Sequence, residues 1–252
     1  MRQEDVVIVL NVGRTGSTWL SRALGKHPEI LDGCECNFWC PFDVQESTGA
    51  GRYNISHMHH LHEDEMSQAF LPSPMQLLSE EDVLEIMGKH AMEIFSKALV
   101  RAGKEMIVDK SPSNMLYPYS ISNVANILPQ ATYIHLVRDF RAVWDSYKRN
   151  MPSYWVSNGG VAKFAGIIRS AYARLHDQFG GIATVRYEDL CEQPLREMRE
   201  LLGWIGEHAS EELLSEMIGD VKTPREIELE PGERVVIEGV LGDLLTQYGY
   251  AV

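Results

Sequence analysis

The sequence is short of basic residues and of long apolar runs, and each shortage argues against a class of protein. Its 252 residues include 23 Lys and Arg against 36 Asp and Glu, a formal net charge of -13. Such an acidic chain is a poor candidate for binding nucleic acid or an anionic membrane. No apolar run reaches the roughly 18 residues of a spanning helix. The N-terminus is acidic and its apolar run is short, which argues against a secretion signal. We therefore expect a cytoplasmic protein without membrane or nucleic-acid partners.

Cysteine is also scarce, with four in the chain. Three of them, Cys34, Cys36 and Cys40, form a C-x-C-x3-C pattern that suggests zinc. No matching C-x-x-C or histidine pair accompanies this pattern, and structural zinc sites use four ligands. We therefore expect free thiols in a reducing compartment and no metal.

Short apolar runs alternate with helical stretches along the chain. The runs are rich in β-branched residues, as in parallel strands that are covered on both faces. This order predicts an α/β fold: a single three-layer domain over residues 1–252, with a central, mostly parallel sheet flanked by helices, as in P-loop nucleotide-binding proteins. The predicted strands are Val6–Leu10, Met106–Asp109, Tyr133–Val137 and Ile182–Arg186. The predicted helices are Ser17–Lys26, Glu80–Arg101, Phe140–Arg149, Ala162–Phe179, Leu195–Ile205, Glu211–Ile218 and Val235–Tyr248.

Two segments lack this regularity. Asp32–Pro74 is rich in His, Cys, Gly and Pro, and Lys222–Glu233 is charged and carries two prolines. Ligands of open α/β sheets bind beyond the carboxyl ends of the strands. Long connections near that edge are candidates for a substrate wall or lid, and we expect Asp32–Pro74 to form one.

The first predicted strand runs into the stretch NVGRTGSTWL, which begins at residue 11 and has the composition of a phosphate-binding loop. Gly13 and Gly16 permit close backbone approach, and Ser17 and Thr18 stand where the next helix begins and its N–H groups attract anions. Arg14 adds a charged planar fork that fits phosphate oxygens. The ATP-type loop requires lysine directly after its second glycine, but Ser17 occupies that place. A kinase or ATPase is therefore disfavoured.

A second basic cluster follows the third predicted strand. Arg138 lies at the carboxyl end of the strand and Arg141 adds another cation. Ser146 comes eight residues after Arg138, two turns into the next helix. An arginine and a serine placed in this way can converge on a second phosphate at the same edge of the sheet.

In order and spacing, these motifs resemble those of the sulfotransferases that use 3′-phosphoadenosine-5′-phosphosulfate (PAPS) as donor. In that family a loop of the form [KR]-[ST]-G-[ST]-T, often followed by Trp, grips the 5′-phosphosulfate. An arginine and a serine eight residues later grip the 3′-phosphate, as Arg138 and Ser146 would here. Tyr-Glu-Asp-Leu after a late strand is matched at Tyr187–Leu190. The matching loop residues are Arg14, Thr15, Gly16, Ser17, Thr18 and Trp19.

The resemblance implies roles for individual residues. Trp19 would stack on the adenine of the donor, and Tyr187 would also contact the adenine. Lys110, at the end of the second predicted strand, matches a family lysine near the bridging oxygen. Together with Arg14, it would stabilise the leaving phosphate. PAPS is then the co-substrate, and the transfer requires no metal.

The general base stays open between two candidates. Cytosolic animal members carry a histidine two positions after the matching lysine, but that position here is Pro112. Other branches use a glutamate that follows the first helix and precedes aromatic residues. Glu35, before Phe38 and Trp39, fits that context and is the first choice. The rival is a histidine cluster: His57, His59, His60 and His62.

One family element is absent. Animal members complete the 3′-phosphate site with a late Arg-Lys-Gly, and this chain has no such triplet. Arg225 and Arg234 are the candidates to replace it. If neither does, donor affinity rests on Arg138, Ser146 and Arg141.

The leading hypothesis is a PAPS-dependent sulfotransferase that modifies a hydroxyl or amine of a small molecule, such as a specialised metabolite. The acidic chain favours a neutral or cationic acceptor over a polyanion. The alternatives are a P-loop kinase of a small molecule, which the missing lysine disfavours, and a non-catalytic nucleotide-binding protein.

Overall fold

The computed structural model describes residues 1–37, 79–117, 120–152, 159–219 and 224–252. Within these ranges the chain forms a five-stranded sheet in which all four neighbouring pairs of strands are parallel. The strands are β1 (Val6–Leu10), β2 (Ile30–Asp32), β3 (Met106–Asp109), β4 (Thr132–Val137) and β5 (Ala183–Arg186).

The strand order, β2-β3-β1-β4-β5, places the first strand at the centre of the sheet. The chain builds one half of the sheet with β2 and β3, and then crosses β1 to build the other half with β4 and β5. The loops that leave β3, β1 and β4 consequently emerge side by side at the carboxyl edge. A crevice forms where the order reverses, and ligands of such sheets bind there.

Helices cover both faces of the sheet. In the parts of the chain that the structure describes, no helix is long and apolar enough to cross a membrane. The helices are α1 (Ser17–Leu24), α2 (Glu80–Ala102), α3 (Ser113–Leu116), α4 (Ser120–Ile127), α5 (Phe140–Asn150), α6 (Gly160–Gln178), α7 (Tyr187–Glu192), α8 (Pro194–Trp204), α9 (Glu211–Ile218) and α10 (Pro231–Gln247).

β1 supplies side chains to both halves of the core, because successive residues of a strand point to opposite faces. Val6, Ile8 and Leu10 pack in one cluster with residues of α2, α4, α5, α6 and α10. Val7 and Val9 pack in the other with residues of α1, α8 and α9. All five side chains are fully buried. The three-layer fold that the sequence predicts is confirmed.

The sequence predicts four of the five strands to within one residue. β1 and β3 have the predicted bounds, whereas β4 begins one residue earlier, at Thr132, and β5 one residue later, at Ala183. The sequence pattern misses β2 because a run of three residues carries too little periodicity to be recognised. It also misses the short helices α3 and α7 and the serine-rich α4.

Helix bounds differ from the predicted ones by at most four residues, and the largest difference is at the start of α10. α10 begins at Pro231, four residues before the predicted Val235, because Glu230 and Glu233 form a capping box around it. α1 ends at Leu24, two residues before the predicted end. α2 begins at the predicted residue, where Ser79 caps its first turn.

β4 carries a buried histidine behind the carboxyl edge. Its Nε2 lies 3.1 Å from the hydroxyl oxygen of Tyr172, and its Nδ1 lies 3.4 Å from Oγ1 of Thr184. The ring of Tyr248 packs edge-on at 5.3 Å between centroids. Burial lowers the pKa of this residue, His135, from 6.5 to about 3. His135 is therefore neutral in the folded protein near pH 7.

The folded protein should lose stability as pH falls from about 6.5 toward 3. Unfolded His135 binds a proton below pH 6.5, whereas the folded state resists protonation down to about 3. The free energy of unfolding then falls by about 1.4 kcal/mol per pH unit at the steepest. His135→Gln can keep the hydrogen bond to Tyr172 and binds no proton, so its pH dependence should be flatter. Urea unfolding at a series of pH values measures both; equal slopes would contradict the assignment.

Candidate active site

Asn11 braces the loop that follows β1. Its side-chain oxygen accepts hydrogen bonds from the backbone N–H of Gly13, at 2.9 Å, and from the hydroxyl of Thr15, at 3.5 Å. Its side-chain nitrogen donates to the backbone oxygens of Val9, at 3.1 Å, and Lys110, at 3.2 Å. Asn11 is fully buried. The sequence gives a signal for this role, because asparagine after a strand commonly bonds to backbone two residues on.

The loop itself has a left-handed backbone at three positions. Gly13, Arg14 and Gly16 have φ of 76°, 55° and 89°. Gly16 also has no room for a side chain, since a Cβ atom there would lie 2.4 Å from Cδ2 of Tyr187. The turn delivers the chain into α1, whose first N–H groups have no acceptor within the helix. The loop is therefore shaped to bind an anion.

The second basic cluster is in direct contact with this loop. Nε of Arg14 donates to the hydroxyl oxygen of Ser146 at 3.1 Å, although 132 residues separate them. Arg138 donates from a terminal nitrogen to the backbone oxygen of Arg14 at 3.0 Å. The guanidinium of Arg138 also stacks on the ring of Tyr187, 4.5 Å from its centre. Nε of Arg138 is buried and has no hydrogen-bond partner among the described residues.

Arg141 lies outside this cluster, contrary to the expectation that it contributes to donor affinity. Its guanidinium pairs with Asp139 at 2.8 Å and with Glu238 of α10 at 2.9 Å. Asp139 caps α5 by accepting a hydrogen bond from the backbone N–H of Arg141. These contacts fix the start of α5 and leave Arg141 without a part in anion binding.

Lys110 and Glu35 form an ion pair beside the loop. The ammonium of Lys110 lies 2.5 Å from Oε1 of Glu35 and 3.2 Å from Oγ1 of Thr18. The side chain of Lys110 is 3% exposed, whereas that of Glu35 is 45% exposed. The carboxylate is therefore open to an incoming molecule, and the ammonium lies between it and the first turn of α1.

Asp109 holds the segment that carries Glu35. This fully buried carboxylate accepts hydrogen bonds from the N–H and hydroxyl of Ser111, from the side chain of Asn114 and from the backbone N–H of Cys36. Burial raises the pKa of Asp109, and these hydrogen bonds oppose the shift. The backbone N–H of Asn37 donates to the Ser111 hydroxyl at 2.9 Å. On the other side of Glu35, the backbone oxygen of Cys34 accepts a hydrogen bond from the backbone N–H of Lys110 at 3.0 Å, so the segment is held on both sides of Glu35.

A cavity of about 600 Å³ is lined by residues of the loop and of the Arg138 cluster, whereas Lys110 and Glu35 do not line it. Thr15 does not line it, because its side chain is buried under the loop against Asn11. The predicted residues that line it are Arg14, Gly16, Ser17, Thr18, Trp19, Arg138, Ser146 and Tyr187. Its volume is in the range of small-molecule and cofactor sites.

The rest of the wall consists of residues that the sequence did not predict. Arg22 lies one helical turn after Trp19, so helical periodicity would have found it, whereas Lys26 follows the end of α1. Cys191 of α7 and Met217–Gly219 at the end of α9 close the far side. No sequence motif marks these last residues, because only the packing of α9 against α1 brings them here.

Several expected participants lie outside the described residues. They are Phe38, Trp39, Cys40, His57, His59, His60 and His62. Within the described ranges, no group of three or more His, Cys, Asp or Glu side chains is arranged to hold a metal ion.

The chain belongs to the sulfotransferase family, because a sequence model of that family matches residues 6–211. The match begins at β1 and includes the loop, Lys110, the Arg138 cluster and Tyr187. A comparison with curated protein sequences finds no significant match.

Solved structures of low sequence identity share the fold. The sulfotransferase domain of a Synechococcus olefin synthase is 21% identical, with a TM-score of 0.62, over 98% of this chain and 95% of that one. The sulfotransferase domain from the curacin biosynthetic pathway is 16% identical, with the same TM-score, over 98% of each chain. A sulfotransferase of Mycobacterium avium is 15% identical, with a TM-score of 0.62, over all of this chain and 79% of that one.

Gly16→Ala should destabilise the protein through contact with Tyr187. Alanine at this φ and this distance from the ring should lower the free energy of unfolding by about 2–4 kcal/mol. Gly103→Ala is the matched control, because Gly103 also has a positive φ but a Cβ there would meet nothing within 4 Å. That variant should lose only about 1–2 kcal/mol. Chemical denaturation measures both, and equal losses would show that the ring contact is unimportant.

Proposed function

We propose that the protein transfers a sulfuryl group from PAPS to a hydroxyl or amine of a small-molecule acceptor. Family membership supports sulfotransfer, and the charges around the cavity support an anionic donor. Arg14, Arg22, Lys26 and Arg138 line the cavity, and no carboxylate does so among the described residues. In a chain with a net charge of -13, this concentration of cations is the observation that carries the proposal.

The arrangement offers a place for each part of the donor. The loop N–H groups and the hydroxyls of Ser17 and Thr18 would hold the 5′-phosphosulfate. Arg138 and Ser146, which both line the cavity, would hold the 3′-phosphate. Trp19, half-buried in the cavity wall, would stack on adenine.

The chemistry would proceed by in-line displacement. The acceptor oxygen or nitrogen attacks sulfur, its bond to sulfur forms, and the bond between sulfur and the bridging oxygen breaks. The electron pair of that bond leaves on the 5′-phosphate of adenosine 3′,5′-bisphosphate, where Lys110 and the loop stabilise the charge. The acceptor proton passes to the exposed carboxylate of Glu35, 2.5 Å from Lys110. No redox step and no further reactant is needed.

The acceptor would approach from the side of Glu35. Cys34–Asn37 belong to the described part of that side, and Glu35 is the one charged residue among these four. A polyanionic acceptor would meet the charge of Glu35 and of the acidic chain as a whole. A small neutral or cationic molecule fits better.

Adenosine 3′,5′-bisphosphate should bind the protein without magnesium, since the cavity supplies its own cations. Isothermal titration calorimetry with and without magnesium tests this, with ATP and magnesium as the comparison. Similar affinities for the bisphosphate in both conditions are expected. Binding of ATP that depends on magnesium, with none of the bisphosphate, would sink the proposal.

Glu35→Gln should reduce turnover at least about 100-fold while leaving donor binding intact. The amide can still accept a hydrogen bond from Lys110, so the site keeps its shape but loses its proton acceptor. Sulfate transfer from labelled PAPS to a panel of hydroxyl and amine acceptors measures turnover. Glu105→Gln, an exposed change at the amino edge of the sheet, is the control and should match the wild type. Full turnover in Glu35→Gln would place the base elsewhere.

A further inference from the structure

We propose that Arg14 binds the 3′-phosphate of the donor and makes the protein selective for 3′-phosphorylated nucleotides. This inference rests on the proposed function. It gives the loop arginine a second role besides the one at the 5′-phosphosulfate. It also explains how a 3′-phosphate site can be complete without the late cationic motif that the sequence lacks.

The hydrogen bond between Arg14 and Ser146 carries the proposal. Nε of Arg14 is 3.1 Å from the hydroxyl oxygen of Ser146, and Ser146 is the serine assigned to the 3′-phosphate. The loop residue therefore reaches into the second phosphate site without any movement. Arg138 donates to the backbone oxygen of Arg14, so the three residues form one connected group.

Within the described structure, several N–H and O–H groups of Arg14, Ser146 and Arg138 remain free to donate hydrogen bonds to a phosphate. Arg14 uses Nε for Ser146, and its two terminal nitrogens have no partner among the described residues, so the outer fork is available. Ser146 accepts from Arg14, so its own hydrogen remains to be donated. Arg138 lines the cavity and donates from one terminal nitrogen to Arg14, and its other terminal nitrogen has no partner among the described residues. Three positions thus offer N–H or O–H groups to one phosphate.

The late cations do not compete for this role in the described structure. Arg234 lies 3.2 Å from Glu238 on the same helix, and neither Arg234 nor Arg225 lines the cavity. Both were candidates to complete the 3′-phosphate site, and the geometry does not bring them there. Of the cations that line the cavity, Arg14 bonds to Ser146 directly and Arg138 bonds to the backbone of Arg14.

Lysine would not serve equally well at position 14. The family pattern allows lysine or arginine here, and a lysine ammonium supplies charge to the 5′ side. However, it has no inner N–H that can donate to Ser146 while an outer fork binds phosphate. Selectivity for a 3′-phosphate should therefore depend on the shape of arginine as well as on its charge.

The test compares nucleotides that differ only in the second phosphate. Affinities of wild type and Arg14→Lys for adenosine 3′,5′-bisphosphate and for adenosine 5′-monophosphate are measured by calorimetry, with competition for the weaker ligand. Arg14→Lys should weaken the bisphosphate about tenfold or more, as expected for loss of a charge-assisted bidentate contact. It should change the affinity for the monophosphate less than about threefold.

Ser146→Ala and the double variant complete the design. Because the two side chains act together, Arg14→Lys should cost less bisphosphate affinity in the Ser146→Ala background than in the wild type. Arg169 on α6 pairs with Asp243 and does not line the cavity, so Arg169→Lys is the charge-conserving control. Melting curves of each variant show whether it is folded, and Arg14 is exposed, so its replacement should not disturb the core.

The outcomes separate this inference from the function on which it rests. Equal loss for both nucleotides, additive effects of the two changes, or unchanged bisphosphate affinity would overturn the role of Arg14 and leave the function standing. Failure of the wild type to bind the bisphosphate at all would overturn both.

Discussion

The site depends on the burial of β1 on both faces of the sheet. The helices that connect parallel strands cover both faces of the sheet, and the carboxyl ends of parallel strands lie at the same edge. That alignment brings together the loop after β1, Lys110 after β3 and Arg138 after β4, although 99 residues separate Asn11 from Lys110 and 124 separate Arg14 from Arg138. Each of the three positions is ordinary by itself. Their chemistry arises because the sheet delivers them to one crevice.

Electrostatics then distinguishes this crevice from the rest of the molecule. Most arginines and lysines with partners in the described structure lie in surface pairs, such as Arg169 with Asp243 or Lys97 with Glu93, which contribute little to stability. Around the cavity, the described residues include four cations and no carboxylate to pair with them. An anionic ligand is the natural complement. Glu35 differs from these residues, because its carboxylate pairs with Lys110 beside the loop, where the transfer is proposed to occur.

Much of this organisation could be predicted from the sequence. Short apolar runs such as Val6–Leu10 identify their strands because helices bury such a strand on both faces of the sheet. Ser79 and Gly103 mark the ends of α2 by capping chemistry. The loop and the Arg138 cluster were recognisable by residue type and spacing. The pairing of Glu35 with Lys110 follows the expectation that both act at one centre, although their roles stay a prediction.

What the sequence could not predict depends on distant packing. Arg141 is a residue type that binds anions, but in the folded protein it pairs with Glu238 of α10. The sequence near Arg141 does not show that α10 packs beside it. Met217–Gly219 carry no chemical signal, yet they close the cavity because α9 packs against α1. Asn11 appears in the sequence as a turn residue. Its bond to the backbone of Lys110 depends on the pairing of β1 with β3, which local pattern does not encode.

That bond has a mechanical consequence. Asn11 joins the turn after β1 to the backbone at the end of β3, and its amide is satisfied on every side by fixed backbone or loop atoms. The spacing between the anion-binding turn and the backbone that carries Lys110 is therefore fixed by a rigid link. Whatever motion admits the two reactants, this part of the protein has no need to join it.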